Sequence, residues 1–156
     1  MNTAICVTPF EGLKFAMSKN KIVIKLGGGL ITDKSQYKVV REQRIASVCE
    51  VISNIVKDNN SVILVHGAGS FGHLEAKKWS LSTGHNKKII QNQRRAVDTV
   101  RNDMMELNSH VLNCLKKFDI KGVSHPPSKW ANGTGPKFNG DISIMESEKN
   151  QIINVT

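Results

Sequence analysis

Two short stretches carry most of the residues able to do chemistry. In IVIKLGGGLITDK (Ile22–Lys34), Lys25 sits at the end of an apolar run, three glycines follow, and Lys34 closes the segment. In HGAGSFGH (His66–His73), Gly67, Gly69 and Gly72 follow a second apolar run, and His73 comes last. Desolvating an ammonium is costly, so a lysine at the mouth of a buried strand either reaches solvent or meets an anion. Glycine turns that open helices present unpaired N–H groups and positive helix ends, which suit phosphate. Two such turns on one sheet edge suggest two phosphates. Lys25 and Lys34 can supply the positive charge that phosphoryl transfer requires, and His73 can aim an imidazole N–H at a phosphate oxygen. The plainer reading stays open beside this one: glycines after a strand also serve as tight turns, and strand-end lysines are often solvated.

Other chemistries fit less well. Gly67, Gly69 and Gly72 have the GxGxxG spacing of a dinucleotide fingerprint, but the stretch where its acidic partner belongs reads KKIIQNQRR, with neither acid nor strand. The pattern GxxxxGK[ST] does not occur. Cys6, Cys49 and Cys114 are odd in number and widely spaced, which suggests neither a disulfide framework nor a metal site. No metal-ligating residues are assigned. A reducing, cytoplasmic setting fits best. The formal charge of +9 favours anionic partners. Nucleic acid is disfavoured, because no basic run reaches five residues and aromatics make up only 5%. No apolar run is long enough for a membrane span, and the N-terminus lacks a signal-peptide layout. His85, His110 and His125 stand alone, and Arg94, Arg95 and Arg101 read as the wet face of a helix. Asp33 and Asp141 carry no assigned role.

The elements that must position these residues follow from apolar periodicity. Lys21–Leu26 reads as a strand. Ile45, Val48, Ile52 and Ile55 recur at helical spacing. Ser61–Val65 is a second strand, its continuous apolarity implying burial on both faces. The positions Ile90, Val97, Val100, Met104, Leu107, Val111 and Cys114 predict the longest helix. Ile120–Ser124 reads as a third strand, PPSKWANGTGPKFNGD as a loop, and Gln151–Val155 as a strand beginning. The order predicts an α/β fold with helices wound on both faces of a mostly parallel sheet, its ligands beyond the carboxyl ends of the strands. Residues 1–16 show no clear pattern and are set aside as a non-native or disordered extension, with Met17 as the natural start and 17–156 as the domain.

With IKLGGGLITDK and VHGAGSFGH assembled, and a looser echo in the long helix and KFNGD, the chain resembles the amino acid kinase superfamily, and within it the isopentenyl phosphate kinases. The resemblance implies an open αβα sandwich whose C-terminal part is missing here. It also implies ATP-dependent phosphorylation of isopentenyl phosphate, a phosphate monoester, with Mg2+ accompanying ATP and a homodimer as a possible assembly. Lys25 and the amides of Gly27, Gly28 and Gly29 would hold ATP phosphates, with Gly69 helping. Lys34 would stabilise the transferring group. Ala68, Gly69, Gly72 and His73 would hold the acceptor, the Ala68 amide and His73 meeting its phosphate. Gly29 departs from the pattern, because the family usually has serine there. The other expectation is a catalytically inactive remnant that binds phosphorylated metabolites or a partner chain.

Overall fold

A computed structural model describes residues 2–9, 20–132, 137, 139–141 and 143, the first of these segments as backbone only. Its main sheet has four strands in the order β2-β3-β1-β4. These are β1 (Asn2–Pro9), β2 (Lys21–Leu26), β3 (Ser61–Gly67) and β4 (Ile120–Ser124). The helices are α1 (Gly28–Ile31), α2 (Glu42–Lys57), α3 (His73–Lys78), α4 (Ile90–Lys117) and α5 (Pro127–Trp130).

β2 and β3 are parallel, and their register pairs Lys25 with Val65 and Leu26 with His66. Both strands therefore run out at the same level, and the glycine turns that follow them emerge side by side. The two periodic helices form as their apolar spacing requires. α2 buries Ile45, Cys49, Ile52 and Val56, and α4 buries Leu107, Val111, Cys114 and Leu115. These residues join Leu26, Val62, Leu64, Phe71 and Ile120 in one core.

Three expectations need correction. First, the strands are not buried on both faces. In β3, Val62, Leu64 and His66 are buried, whereas Ser61, Ile63 and Val65 are half-buried. In β2, Val23 is 66% exposed. α2 and α4 pack against each other and share one core with Val62 and Leu64, so they cover the same face of the sheet. Apolar residues in a row cannot reveal which face a helix will cover.

Second, Asn2–Pro9, set outside the fold by the sequence reading, forms β1 between β3 and β4, antiparallel to both. A short strand needs only unpaired backbone edges on its neighbours, and periodicity carries no sign of those. Third, the PPSKWANGTGPKFNGD stretch is not loop throughout. It contains α5 and a small ladder of β5 (Ala131–Asn132) with β6 (Asn139–Gly140). The strand expected at 151–155 lies outside the described residues. Among the described residues no helix is long and apolar enough to cross a membrane.

Candidate active site

The first glycine turn opens α1, a single turn of helix, and not the long α2. The second opens a 3-10 turn, Gly69–Phe71, and then the six-residue α3. Both helices are shorter than the sequence pattern suggested, so the site depends more on individual amides and side chains than on a summed helix dipole.

The turns touch. A methyl at Gly28 would fall 2.2 Å from the Gly69 nitrogen, and one at Gly69 would fall 2.0 Å from Thr32 Oγ1 and 2.6 Å from the Gly28 carbonyl oxygen. Gly69 also has φ +50°, which disfavours any side chain. Thr32, wholly buried, ties the turns together. Its hydroxyl donates to the Gly28 carbonyl at 2.7 Å and accepts from the Ser70 N–H at 2.9 Å. Sequence reasoning missed this residue, because a threonine in GGGLITDK carries no sign of its partner 38 positions away.

The three consecutive glycines have different surroundings. Gly28 lies against the Gly69 backbone, and Gly29 lies under the Lys34 side chain. Gly27 has ordinary backbone angles (φ −61°, ψ 136°) and open space where a methyl would stand. Nothing inside the protein demands glycine at position 27, so its missing side chain leaves room for something outside it.

Lys25 and Lys34 are both exposed at this edge, and among the described residues no carboxylate pairs with either. Asp33, next to Lys34, is otherwise engaged. It accepts from the Ser35 hydroxyl at 2.7 Å and the Ser35 amide at 2.9 Å, which hold its carboxyl below the usual range, and it lies 3.9 Å from Arg41. The loop carrying Lys34 is pinned to α4 farther along. Tyr37 donates to buried Asp103 at 2.5 Å, and Lys38 pairs with both Asp103 and Glu106. These bonds push the Tyr37 hydroxyl up to about 12 and raise the Lys38 ammonium. Tyr37, Lys38 and Asp103 were not singled out in the sequence.

His73 is the first residue of α3 and is exposed. With Ala76, Lys77, Ser80, Ser82 and Thr83 it lines a cavity of about 340 Å3. A larger cavity of about 420 Å3 lies on the other side of the Leu81–Thr83 turn, among Leu81, His85, Ile90, Arg94, Val97 and Arg101, and contains none of the expected site residues. Ala68 and Gly69 are buried at the meeting of the turns. Gly72 does not have a free amide. Its N–H donates to the Gly69 carbonyl, and a methyl there would fall 2.7 Å from Ala68 Cβ. It is a packing glycine, unlike its neighbours in the motif.

At the end of β3, His66 is buried, and burial pushes its imidazole down to about 4. Its Nδ1 lies 3.4 Å from the Gly67 carbonyl, Asn108 of α4 supplies a further polar neighbour, and Nε2 makes no hydrogen bond of normal geometry among the described residues. His66 is therefore neutral near pH 7.

The arrangement joins amides, lysines and an imidazole at one sheet edge, which is the equipment for handling phosphates. A family model of the amino acid kinase family matches residues 20–153. The chain belongs to the amino acid kinase family. It is 33% identical over 107 residues to the isopentenyl phosphate kinase of Thermoplasma acidophilum, which covers 69% of this chain and 41% of that protein. To the isopentenyl phosphate kinase of Methanocaldococcus jannaschii it is 32% identical over 140 residues, 85% of this chain and 53% of that one. It thus spans about half the length of the curated relatives it matches.

Solved structures agree. One described as X-ray structures of isopentenyl phosphate kinase superposes with a TM-score of 0.77 at 29% identity, over 86% of this chain and 54% of the other. A T. acidophilum isopentenyl phosphate kinase product complex gives 0.66 at 26%, over 83% and 51%. The amino acid kinase-like α/β fold expected from the sequence is thereby shown. The family match starts at residue 20, so β1 lies outside it.

Members of a kinase family use ATP. Open space at Gly27 and the unpaired Lys25 and Lys34 fit its phosphates. The described residues hold no group of three or more acids, histidines or cysteines able to bind a metal. Mg2+ is commonly held by nucleotide phosphates with few protein ligands, so a metal arriving with ATP needs no such cage here.

Proposed function

We propose that this chain takes part in the ATP-dependent phosphorylation of isopentenyl phosphate to the diphosphate. The observation that carries the reading is the contact between the two glycine turns, which sets Lys25 and Lys34 on one side and His73 on the other side of a shared edge.

In this reading Lys25 and the amides of Gly27, Gly28 and Gly29 hold ATP phosphates, with Gly69 forming the joint between the turns. Mg2+ comes bound to the nucleotide and neutralises phosphate charge. Lys34 stabilises the phosphoryl group as it moves, since such transfer depends on positioning and on cations placed where charge develops. The acceptor phosphate lies at the second turn, where the Ala68 amide and the His73 imidazole donate to it. A phosphate monoester brings nearly two negative charges, which favour such an additional donor. Gly72, its amide committed to Gly69, serves the acceptor only by letting α3 approach Ala68.

The test is calorimetry on the 156-residue chain with isopentenyl phosphate and, separately, with ATP and Mg2+, alongside an assay for ATP-dependent diphosphate formation. His73→Ala should weaken isopentenyl phosphate binding about 10- to 100-fold, the cost of a hydrogen bond to a charged group, and leave ATP binding within twofold. Unchanged acceptor affinity in the variant would remove His73 from the site. Failure of the unaltered chain to bind either ligand would overturn the reading. The relatives are about twice as long, which favours a second reading for the chain alone: ligand binding without turnover, as in a catalytically inactive remnant. Turnover at about 1 to 100 per second, the ordinary kinase range, would exclude it.

A further inference from the structure

Gly29 is the one glycine of the first turn whose side-chain space is taken by another side chain. A methyl built there would fall 2.6 Å from Lys34 Cε and 3.2 Å from Lys34 Nζ. The backbone of Gly29 is helical, within α1, and its φ is not positive, so conformation does not call for glycine. A glycine inside a helix is in fact unfavourable relative to alanine. On the carbonyl side of Gly29 the Arg41 guanidinium approaches its oxygen at 3.4 Å, tethered in turn by Asp33.

We propose that Gly29 is a positioning residue. Its missing side chain lets Lys34 lie back across the turn, so that the ammonium stands beside the start of α1, where the amides of Gly28 and Gly29 have no intrahelical acceptor. Any side chain at position 29 pushes Lys34 outward, and the cation and the amides then no longer converge on one oxyanion. Lys34 gains no compensating partner there, because the adjacent carboxylate of Asp33 is engaged by Ser35 and Arg41. The ligand concerned is a polyphosphate chain. The proposal rests on the phosphate-handling reading above and adds to it that Gly29 and Lys34 act as one unit.

The experiment has two independent readouts on the 156-residue chain. In the unliganded, isotopically labelled protein, a nuclear Overhauser contact should join the Gly29 α protons to the Lys34 ε protons, and Gly29→Ala should abolish the corresponding contact. Titration with inorganic triphosphate should show Lys34→Ala and Gly29→Ala each weakening binding about tenfold or more, and the double variant no weaker than Lys34→Ala alone. The thermal midpoint of Gly29→Ala should stay within a few degrees of the parent, since the atom it meets is the far end of a flexible side chain. Absence of the contact in the unaltered chain, or single-variant effects that multiply in the double variant, would overturn the proposal. A contact present without triphosphate binding would instead overturn the functional reading, and with it the ligand this proposal names.

Discussion

Replacing Thr32 by valine tests whether the two glycine turns are held together by one hydroxyl. Valine keeps the branched shape and nearly the volume, so the change removes Oγ1 without opening a cavity. Two hydrogen bonds disappear, but only one group is orphaned. The Gly28 carbonyl keeps the Thr32 amide as donor at 2.9 Å, whereas the Ser70 N–H has no other acceptor among the described bonds. Ser70 is 1% exposed, so its amide cannot turn to water. A buried unpaired donor costs about 1 to 3 kcal/mol. For a chain of this size, about 2 kcal/mol lowers Tm by about 4 to 8 °C. Urea unfolding followed by circular dichroism should show the midpoint falling with little change in slope. Thr32→Ser, which keeps the hydroxyl and loses one methyl, should cost about 1 kcal/mol. Triphosphate binding should fall further in the valine variant than in the serine variant, because the turns separate. A valine variant as stable as the serine variant would refute the reasoning and leave the turns joined by packing alone.

Gly27→Ala should move stability and binding in opposite directions. Its angles suit alanine and nothing stands within 4 Å of the added methyl, so the chain gains about 0.4 to 1 kcal/mol while triphosphate affinity drops; equal affinity in calorimetry would mean that no ligand approaches that glycine. His66 predicts acid sensitivity. Its folded-state pKa lies near 4 against an ordinary value of 6.5, so between these values the unfolded chain binds more protons. Its contribution is complete above about pH 6.5 and is lost as pH falls towards 4, about 3 kcal/mol in all. His66→Gln should flatten that part of the stability profile in urea titrations at pH 4 to 7, and an unchanged profile would assign the loss to other groups.

Much of the fold was legible in the residues. Lys21–Leu26 and Ile120–Ser124 are strands within the bounds their apolar runs suggested, and the long helix from Ile90 follows its three/four spacing. These patterns are local: a β-branched run stopped by glycine, or a stripe repeating every 3.6 residues, expresses its burial within a dozen positions. Lys25, Lys34 and His73 could be chosen for the same reason, since each stands at a fixed offset from a glycine turn.

What tertiary structure alone decided is how those pieces meet. The parallel register of Lys25 with Val65 brings the turns level, and only then do Gly28 and Gly69 come into contact. Thr32 reaching Ser70, and Tyr37 and Lys38 reaching Asp103 and Glu106, join residues 38 to 68 positions apart. The GxGxxG spacing could not show that Gly72 uses its amide internally while Gly69 takes a left-handed backbone. Nor could an apolar run show that both long helices lie on one face of the sheet, leaving Val23 in solvent. Local sequence specifies what each segment can become, because backbone and side-chain preferences act over a few residues. Which amide is free, which glycine is crowded and which lysine lies across a turn depend on distances between segments, and those exist only once the chain has packed.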